Sequence, residues 1–231
     1  MTVEPGLSKS GARGAAVRAV VLVLHGGQER SKVSATRWYP AYWRMVPFAR
    51  DLRKAGRDAG VAVWLLRNRY RGWNKPDLDP VADARWALEE IRRAHPDAPV
   101  VLVGHSMGGR VALRVADDPA IAGVCALAPW TPEGEPVAQL ADRTVLIAHG
   151  DRDRTTEPAL SHAYAERAKL VTDSVCRFDV RRESHALLRR YSRWTLLVRR
   201  FTLGVLGIVD LDHDIAAALA KPAPDGLGVP I

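Results

Sequence analysis

The stretch Val100-Val-Leu-Val-Gly104-His-Ser106-Met-Gly108-Gly109-Arg-Val-Ala-Leu113 runs from a buried-strand pattern through Gly-x-Ser-x-Gly directly into a helical one. A turn this tight brings strand and helix backbones close together, which leaves no room for side chains at Gly104 and Gly108. Ser106 is then expected to stand exposed at the tip of the turn, beside the positive end of the helix macrodipole. The backbone N–H of Met107 points toward any oxyanion formed when Ser106 attacks a carbonyl.

Outward from this turn, short apolar runs alternate with longer helical patterns. Residues 17–24, 61–66, 100–103, 121–127, 144–148 and 175–180 read as strands, most of them nearly continuous in apolar character. Such runs are expected where helices cover both faces of a parallel sheet. Helical patterns fall near 46–59, 81–94, 107–116, 158–171 and 185–203, and Pro96 and Pro99 close the second of them. The order βαβα predicts an α/β fold: a mostly parallel sheet of about six strands flanked by helices on both faces, with right-handed crossovers. One domain is expected over residues 16–220. Residues 1–15 read as a flexible N-terminal extension and the Pro- and Gly-rich residues 221–231 as a surface tail.

With these residues in view, the chain resembles the α/β-hydrolase superfamily over about residues 17 to 203, in a form with a minimal cap. Gly104-His-Ser106-Met-Gly108-Gly109 matches the family's nucleophile elbow. His25-Gly26-Gly27 resembles its oxyanion-hole turn, and Arg71-Gly72 a turn that many members carry after the second strand, here with Arg69 where an Asp is common. His149-Gly-Asp-Arg-Asp153 stands where the family places its acid, and His185 where it places its histidine. The resemblance therefore implies a Ser106–Asp153–His185 triad, with the N–H groups of Met107 and Gly27 as the oxyanion hole. Asp151 and Asp179 are rival acids: the Gly150-x-x-Asp153 spacing favours Asp153, and Asp179 falls inside the last strand. His185 is expected at the opening of the last long helix. Among the other histidines, His25 and His149 are read as turn supports and His105 as shaping the pocket beside the nucleophile.

The implied reaction is acyl transfer by a serine hydrolase, on a carboxylic ester or thioester, with no metal or organic cofactor. The alternatives are an amidase or acyltransferase using the same triad, or a non-catalytic member that binds a ligand or partner. A dehalogenase is disfavoured because that branch has Asp at the nucleophile position. A short-chain dehydrogenase is disfavoured because no Tyr has a Lys four residues later. Only residues 130–143 separate Pro129 from the next strand, too few for a separate helical cap. Trp38, Trp43, Trp73 and Trp130 lie in or near loops where open α/β sheets bind ligands, so they are candidates for lining the substrate pocket; packing of these loops onto the core is the competing role.

Composition limits the partners. The 231 residues carry 34 Lys and Arg against 26 Asp and Glu, a net charge of +8. The basic residues are spread as pairs such as Arg189–Arg190 and Arg199–Arg200, without a zinc-finger spacing or an aromatic RNA-binding signature, so a small acyl substrate is expected rather than nucleic acid. No apolar run reaches the length of an integral membrane segment. The short apolar run before His25 has no following cleavage site, so the chain is expected to be cytoplasmic. In the last helix, Leu187, Tyr191, Trp194, Val198 and Phe201 form a stripe at helical spacing. It fits the face that packs on the sheet, with a basic membrane-surface helix as the alternative. The apolar residues 203–209 suggest a small docking surface for a partner or a homodimer. In the topology that the resemblance implies, Cys125 and Cys176 fall on strands separated by one other, about 9.5 Å apart and beyond disulfide reach, so both read as buried thiols.

Overall fold

The computed structural model describes residues 3–12 and 16–231. Eight strands form one sheet: β1 (Gly6–Ser10), β2 (Ala19–Leu24), β3 (Val61–Arg67), β4 (Val100–His105), β5 (Ile121–Leu127), β6 (Thr144–Gly150), β7 (Val175–Val180) and β8 (Val229–Pro230). Their spatial order is β1-β3-β2-β4-β5-β6-β7-β8, parallel throughout except for β1, which runs antiparallel along β3. Among the described residues six α-helices accompany them: α1 (Pro40–Gly56), α2 (Asp79–Ala94), α3 (Met107–Arg114), α4 (Pro158–Lys169), α5 (Tyr191–Val205) and α6 (His213–Ala220).

The apolar runs are continuous because alternate residues serve two cores. From β2 and β4, Val20, Leu22, Leu24, Val100 and Leu102 face one side, against Leu88 and Ile91 of α2, Val111 of α3 and Tyr164 of α4. Val21, Val23, Val101 and Val103 face the other, against Phe48 and Leu52 of α1, Trp194 and Phe201 of α5 and Ile215 of α6. Each buried aliphatic side chain contributes about 1.5–3 kcal/mol to folding, and both faces of the central strands do so. Cys125 and Cys176 are buried free thiols on β5 and β7, with β6 between them.

The two ends of the sheet differ from the sequence reading. The extension expected over residues 1–15 contains edge strand β1, whose Leu7 pairs with Leu66; residues 1, 2 and 13–15 lie outside the described residues. The tail expected over 221–231 contains β8, and Leu227 is fully buried, held where the Arg177 guanidinium donates to its carbonyl at 3.2 Å. α1 begins at Pro40, six residues before the expected start, because Pro40 occupies the first turn, where a missing N–H costs nothing. α5 begins at Tyr191 rather than at His185.

Candidate active site

β4 ends at His105 and α3 begins at Met107, so Ser106 alone makes the turn, with φ 56° and ψ −120°. A non-glycine residue in this region is strained by about 1–3 kcal/mol and persists where its surroundings over-determine it. Here the Ser106 N–H donates to Leu127 at 2.9 Å, and its carbonyl accepts from Arg110 at 3.1 Å and Trp130 at 3.2 Å. The close approach is real: a Cβ on Gly104 would lie 2.2 Å from the Gly108 carbonyl oxygen, and one on Gly108 would lie 2.4 Å from that of Leu24. Ser106 is not at an exposed tip, however. It is only 7% exposed, because Gly26 passes beside its Cβ and His185 covers its hydroxyl.

Three side chains from separate elements meet at this turn. Ser106 Oγ lies 3.0 Å from His185 Nε2, and His185 Nδ1 lies 2.7 Å from Asp153 Oδ2. With Nδ1–H donating to the carboxylate, Nε2 presents its lone pair to the serine hydroxyl, the arrangement a general base requires. Asp153 follows β6. Asp151 is exposed and, among the described residues, accepts only from the Glu183 N–H, while Asp179 is paired with Arg177 at 2.7 Å. Burial alone would raise the Asp153 pKa. Hydrogen bonds from His149, His185 and the Thr155 and Thr156 N–H groups outweigh it and hold the carboxyl far below the usual carboxylate range.

His185 lies in the loop between β7 and α5 rather than on a helix. The organiser of that loop is Glu183, a fully buried residue with no apparent role in the sequence. Its carboxylate accepts from the Ser184 N–H at 2.8 Å, the Arg190 N–H at 2.7 Å and Trp194 Nε1–H at 3.3 Å. These bonds, with Leu187 at φ 59°, keep the chain non-helical until Tyr191. His105 lies against His185, ring centroids 4.7 Å apart, and its Nε2–H donates to the His185 carbonyl at 2.9 Å. Burial, then the neighbouring His185 and Arg44, push the His105 pKa well below the usual value, so it remains neutral beside the His185 ring.

Two further residues complete the surroundings of Asp153. His149, read from the sequence as a backbone turn support, uses its side chain differently: Nε2 is 3.2 Å from Asp153 Oδ2 and 3.1 Å from the Thr156 carbonyl, while Nδ1 is 2.8 Å from Ser161 Oγ. Thr156 Oγ1 lies 2.9 Å from Asp153 and 3.1 Å from His185 Nδ1. Ser161 is met in turn by Arg177 Nε–H at 3.2 Å. A buried hydrogen-bonded series thus runs from the seat of the C-terminal strand, through Ser161, His149, Asp153 and His185, to Ser106.

On the other side of Ser106, Gly27 is pressed against Met107 and Arg71; a Cβ there would lie 2.3 Å from the Arg71 carbonyl oxygen and 2.4 Å from Met107 Cε. Neither the Gly27 nor the Met107 N–H donates to any acceptor among the described residues. His25 fixes this turn, donating from Nδ1 to the Gly26 carbonyl at 2.7 Å and accepting the Asn68 N–H on Nε2 at 3.1 Å. Burial, aided by Arg67 and opposed by the Gly26 bond, lowers its pKa from 6.5 to about 4.

The four tryptophans separate into two pairs. Trp73 is fully buried, and its ring and that of Trp130 enclose the Arg110 guanidinium at 3.9 and 4.4 Å. That guanidinium, only 2% exposed rather than on the helix surface, is fixed by Glu135 at 2.8 Å. Trp73 is therefore a core residue, and its pairing with Trp130 braces the Gln28 and Ser106 turns instead of offering a free aromatic wall. Trp38 and Trp43 stack on each other at the surface, centroids 6.3 Å apart. Trp43 lines a mainly apolar cavity of about 270 Å³ with Phe48, Leu187 and Leu188, adjoining His185 along the chain.

A sheet in this strand order, with a strained serine between its central strand and a helix, agrees with a match between residues 20–230 and the family model described as "Alpha/beta hydrolase family". The chain belongs to that family. Among curated proteins none matches it in sequence. Solved structures share the fold at low identity. An alpha-beta serine hydrolase homologue from Coxiella burnetii is 17% identical, with a TM-score of 0.64 over 85% of this chain and 90% of the other. A serine hydrolase without lid from Xanthomonas campestris is 18% identical, with a TM-score of 0.60 over 88% of each chain. A monoacylglycerol lipase from Paleococcus ferrophilus is 16% identical, with a TM-score of 0.61 over 89% of this chain and all of the other.

Proposed function

We propose that this α/β-hydrolase family member is a serine hydrolase that cleaves a carboxylic ester or thioester through an acyl-enzyme. The observation that carries the proposal is the unbroken contact series Ser106 Oγ–His185 Nε2 at 3.0 Å and His185 Nδ1–Asp153 Oδ2 at 2.7 Å. In this reading His185 takes the Ser106 proton as the oxygen attacks the carbonyl carbon, and Asp153 stabilises the imidazolium. The oxyanion receives the two unengaged N–H groups of Met107 and Gly27. His185 returns the proton to the leaving alcohol or thiol, then activates water to release the acid. No metal or organic cofactor takes part in these steps. A neutral His105 against the base suits them, since a second cation there would oppose imidazolium formation.

The cavity beside Trp43 and Leu187 is the candidate seat for the apolar part of the substrate. Its volume of about 270 Å³ lies just below the ~300 Å³ at which drug-sized sites begin, which favours a short or medium acyl chain or a single aromatic ring. The supporting likenesses include a monoacylglycerol lipase and a lid-free serine hydrolase. A series of p-nitrophenyl esters of increasing acyl length tests the reading. Turnover is expected, with a pre-steady-state burst for acyl chains that outrun deacylation and a maximum at short or medium length. A folded chain that turns over none of them above buffer contradicts it.

A further inference from the structure

We propose that the rim formed by Trp38, Trp43 and Leu188 is a docking surface for an anionic lipid bilayer. Trp38 is 81% exposed, Leu188 68% and Trp43 44%. The two tryptophans are stacked, and Trp43 and Leu188 both line the cavity next to His185, so the three form one apolar border around an apolar opening. Large apolar side chains exposed together, rather than singly, mark a surface that meets a partner.

Charge identifies the partner. Residues 30–50 and 184–209, which supply this rim, contain ten Lys and Arg and not one Asp or Glu. The remaining chain holds 24 basic against 26 acidic residues, so the whole positive excess of the molecule sits in these two segments. Of the ten, only Lys32, Arg199 and Arg200 form ion pairs among the described residues. The segments make one face, since Phe48 of α1 and Tyr191 of α5 meet edge to face at 5.5 Å. Indole rings and a leucine that enter the headgroup region, with Arg44 at the cavity and Arg37, Arg189 and Arg190 next to the rim residues along the chain, are what an anionic membrane surface receives. The apolar stripe of α5 itself is not the contact, because Trp194, Val198 and Phe201 are buried in the core. A single-stranded nucleic acid fits less well: its binding grooves offer a succession of aromatic faces to successive bases, and this rim offers one stacked pair. No helix among the described residues is long and apolar enough to cross a membrane, so the attachment is peripheral.

The test is co-sedimentation of the full chain with vesicles of phosphatidylcholine alone and of phosphatidylcholine mixed with phosphatidylglycerol. Its readout is binding, so it stands or falls separately from the hydrolase reading. Preference for the mixed vesicles of about tenfold or more is expected, weakening as salt is added. Trp38→Ala and Arg189→Gln should each weaken binding by roughly fivefold without lowering Tm. Arg93→Gln, on α2 at the opposite face of the sheet, should leave it almost unchanged. Equal binding to both vesicle types overturns the proposal, as does equal sensitivity to Arg93→Gln. So does a dimer in analytical ultracentrifugation that Trp38→Ala dissociates, which would make the rim an interface between two copies of the chain.

Discussion

Around Asp153 both carboxylate oxygens, both ring nitrogens of His149 and the Thr156 hydroxyl are engaged, whereas the rim of Trp38, Trp43 and Leu188 leaves indole rings and the nearby Arg189 uncovered. The first region consists of short hydrogen bonds in a buried setting, where an unmet polar group costs about 1–3 kcal/mol. The second tolerates exposed apolar surface and unpaired charge. In the proposed reading, Asp153 and His185 are held for a reaction whose geometry cannot drift, and the uncovered rim is left free to meet a bilayer. Substitutions should therefore act through rate behind the acid and through binding at the rim.

The largest expected effect belongs to the acid. Asp153→Asn keeps the volume but removes the acceptor that fixes the His185 tautomer, and kcat should fall by roughly 10⁴-fold in a chain that still folds. A loss of only a few-fold would move the acid elsewhere, with Asp151 and Asp179 the next to examine.

A pH effect on stability follows from the opposite wall of the site. His25 is neutral when folded, with its pKa lowered from 6.5 to about 4. Between these values the unfolded chain binds a proton that the folded chain does not, so stability falls as pH falls through this window. The loss attributable to His25 is on the order of 3 kcal/mol across the window. Urea unfolding at a series of pH values should show it, and His25→Gln should flatten the slope between pH 6.5 and 4; equal slopes would show that His25 is not the group responsible.

The buried series sharpens the contrast further. His149→Ala removes one donor from the Asp153 carboxylate, and hydrogen bonds to charged groups are worth about 1.5–3 kcal/mol. A fall in kcat/KM of roughly tenfold or more is expected, together with a shift in the acidic limb of the pH–rate profile. A His149→Ala enzyme with lowered Tm but unchanged kcat and pH profile would make His149 a support of the fold alone. The smallest effect is expected at the rim. Trp43→Ala should raise KM for medium-chain esters by a few-fold and leave kcat for the shortest acyl chain nearly intact, as for one wall of an open apolar cavity. A larger change in kcat than in KM would place Trp43 in the reacting geometry.

What the sequence makes legible follows from the physics of each region. The six central strands appear as apolar runs because both faces are buried, and Gly104, Ser106 and Gly108 appear because only one backbone geometry suits that spacing. Strand β1 is hidden: Gly-Leu-Ser-Lys-Ser at the sheet edge has no apolar run, and its order comes from pairing with β3. Strand β8 is hidden for a similar reason: its two residues carry no pattern, and its order comes from pairing with β7. The start of α5 is misread because the apolar stripe from Leu187 continues through a loop that Glu183 holds open. At the site, residues within motifs are visible, while His149, Thr156 and Glu183 act through partners that local spacing does not reveal. Trp73 and Trp43 look alike in the sequence and separate only by burial, one in the core around Arg110 and the other at the mouth.

The central claim is that Ser106 is an activated nucleophile, and covalent labelling with a fluorophosphonate tests it most directly. Modification located at Ser106 by mass spectrometry in the wild type, absent in Ser106→Ala of equal thermal stability, is the predicted result. A folded wild type that stays unlabelled while a control esterase reacts, or a label that persists in Ser106→Ala, would contradict it.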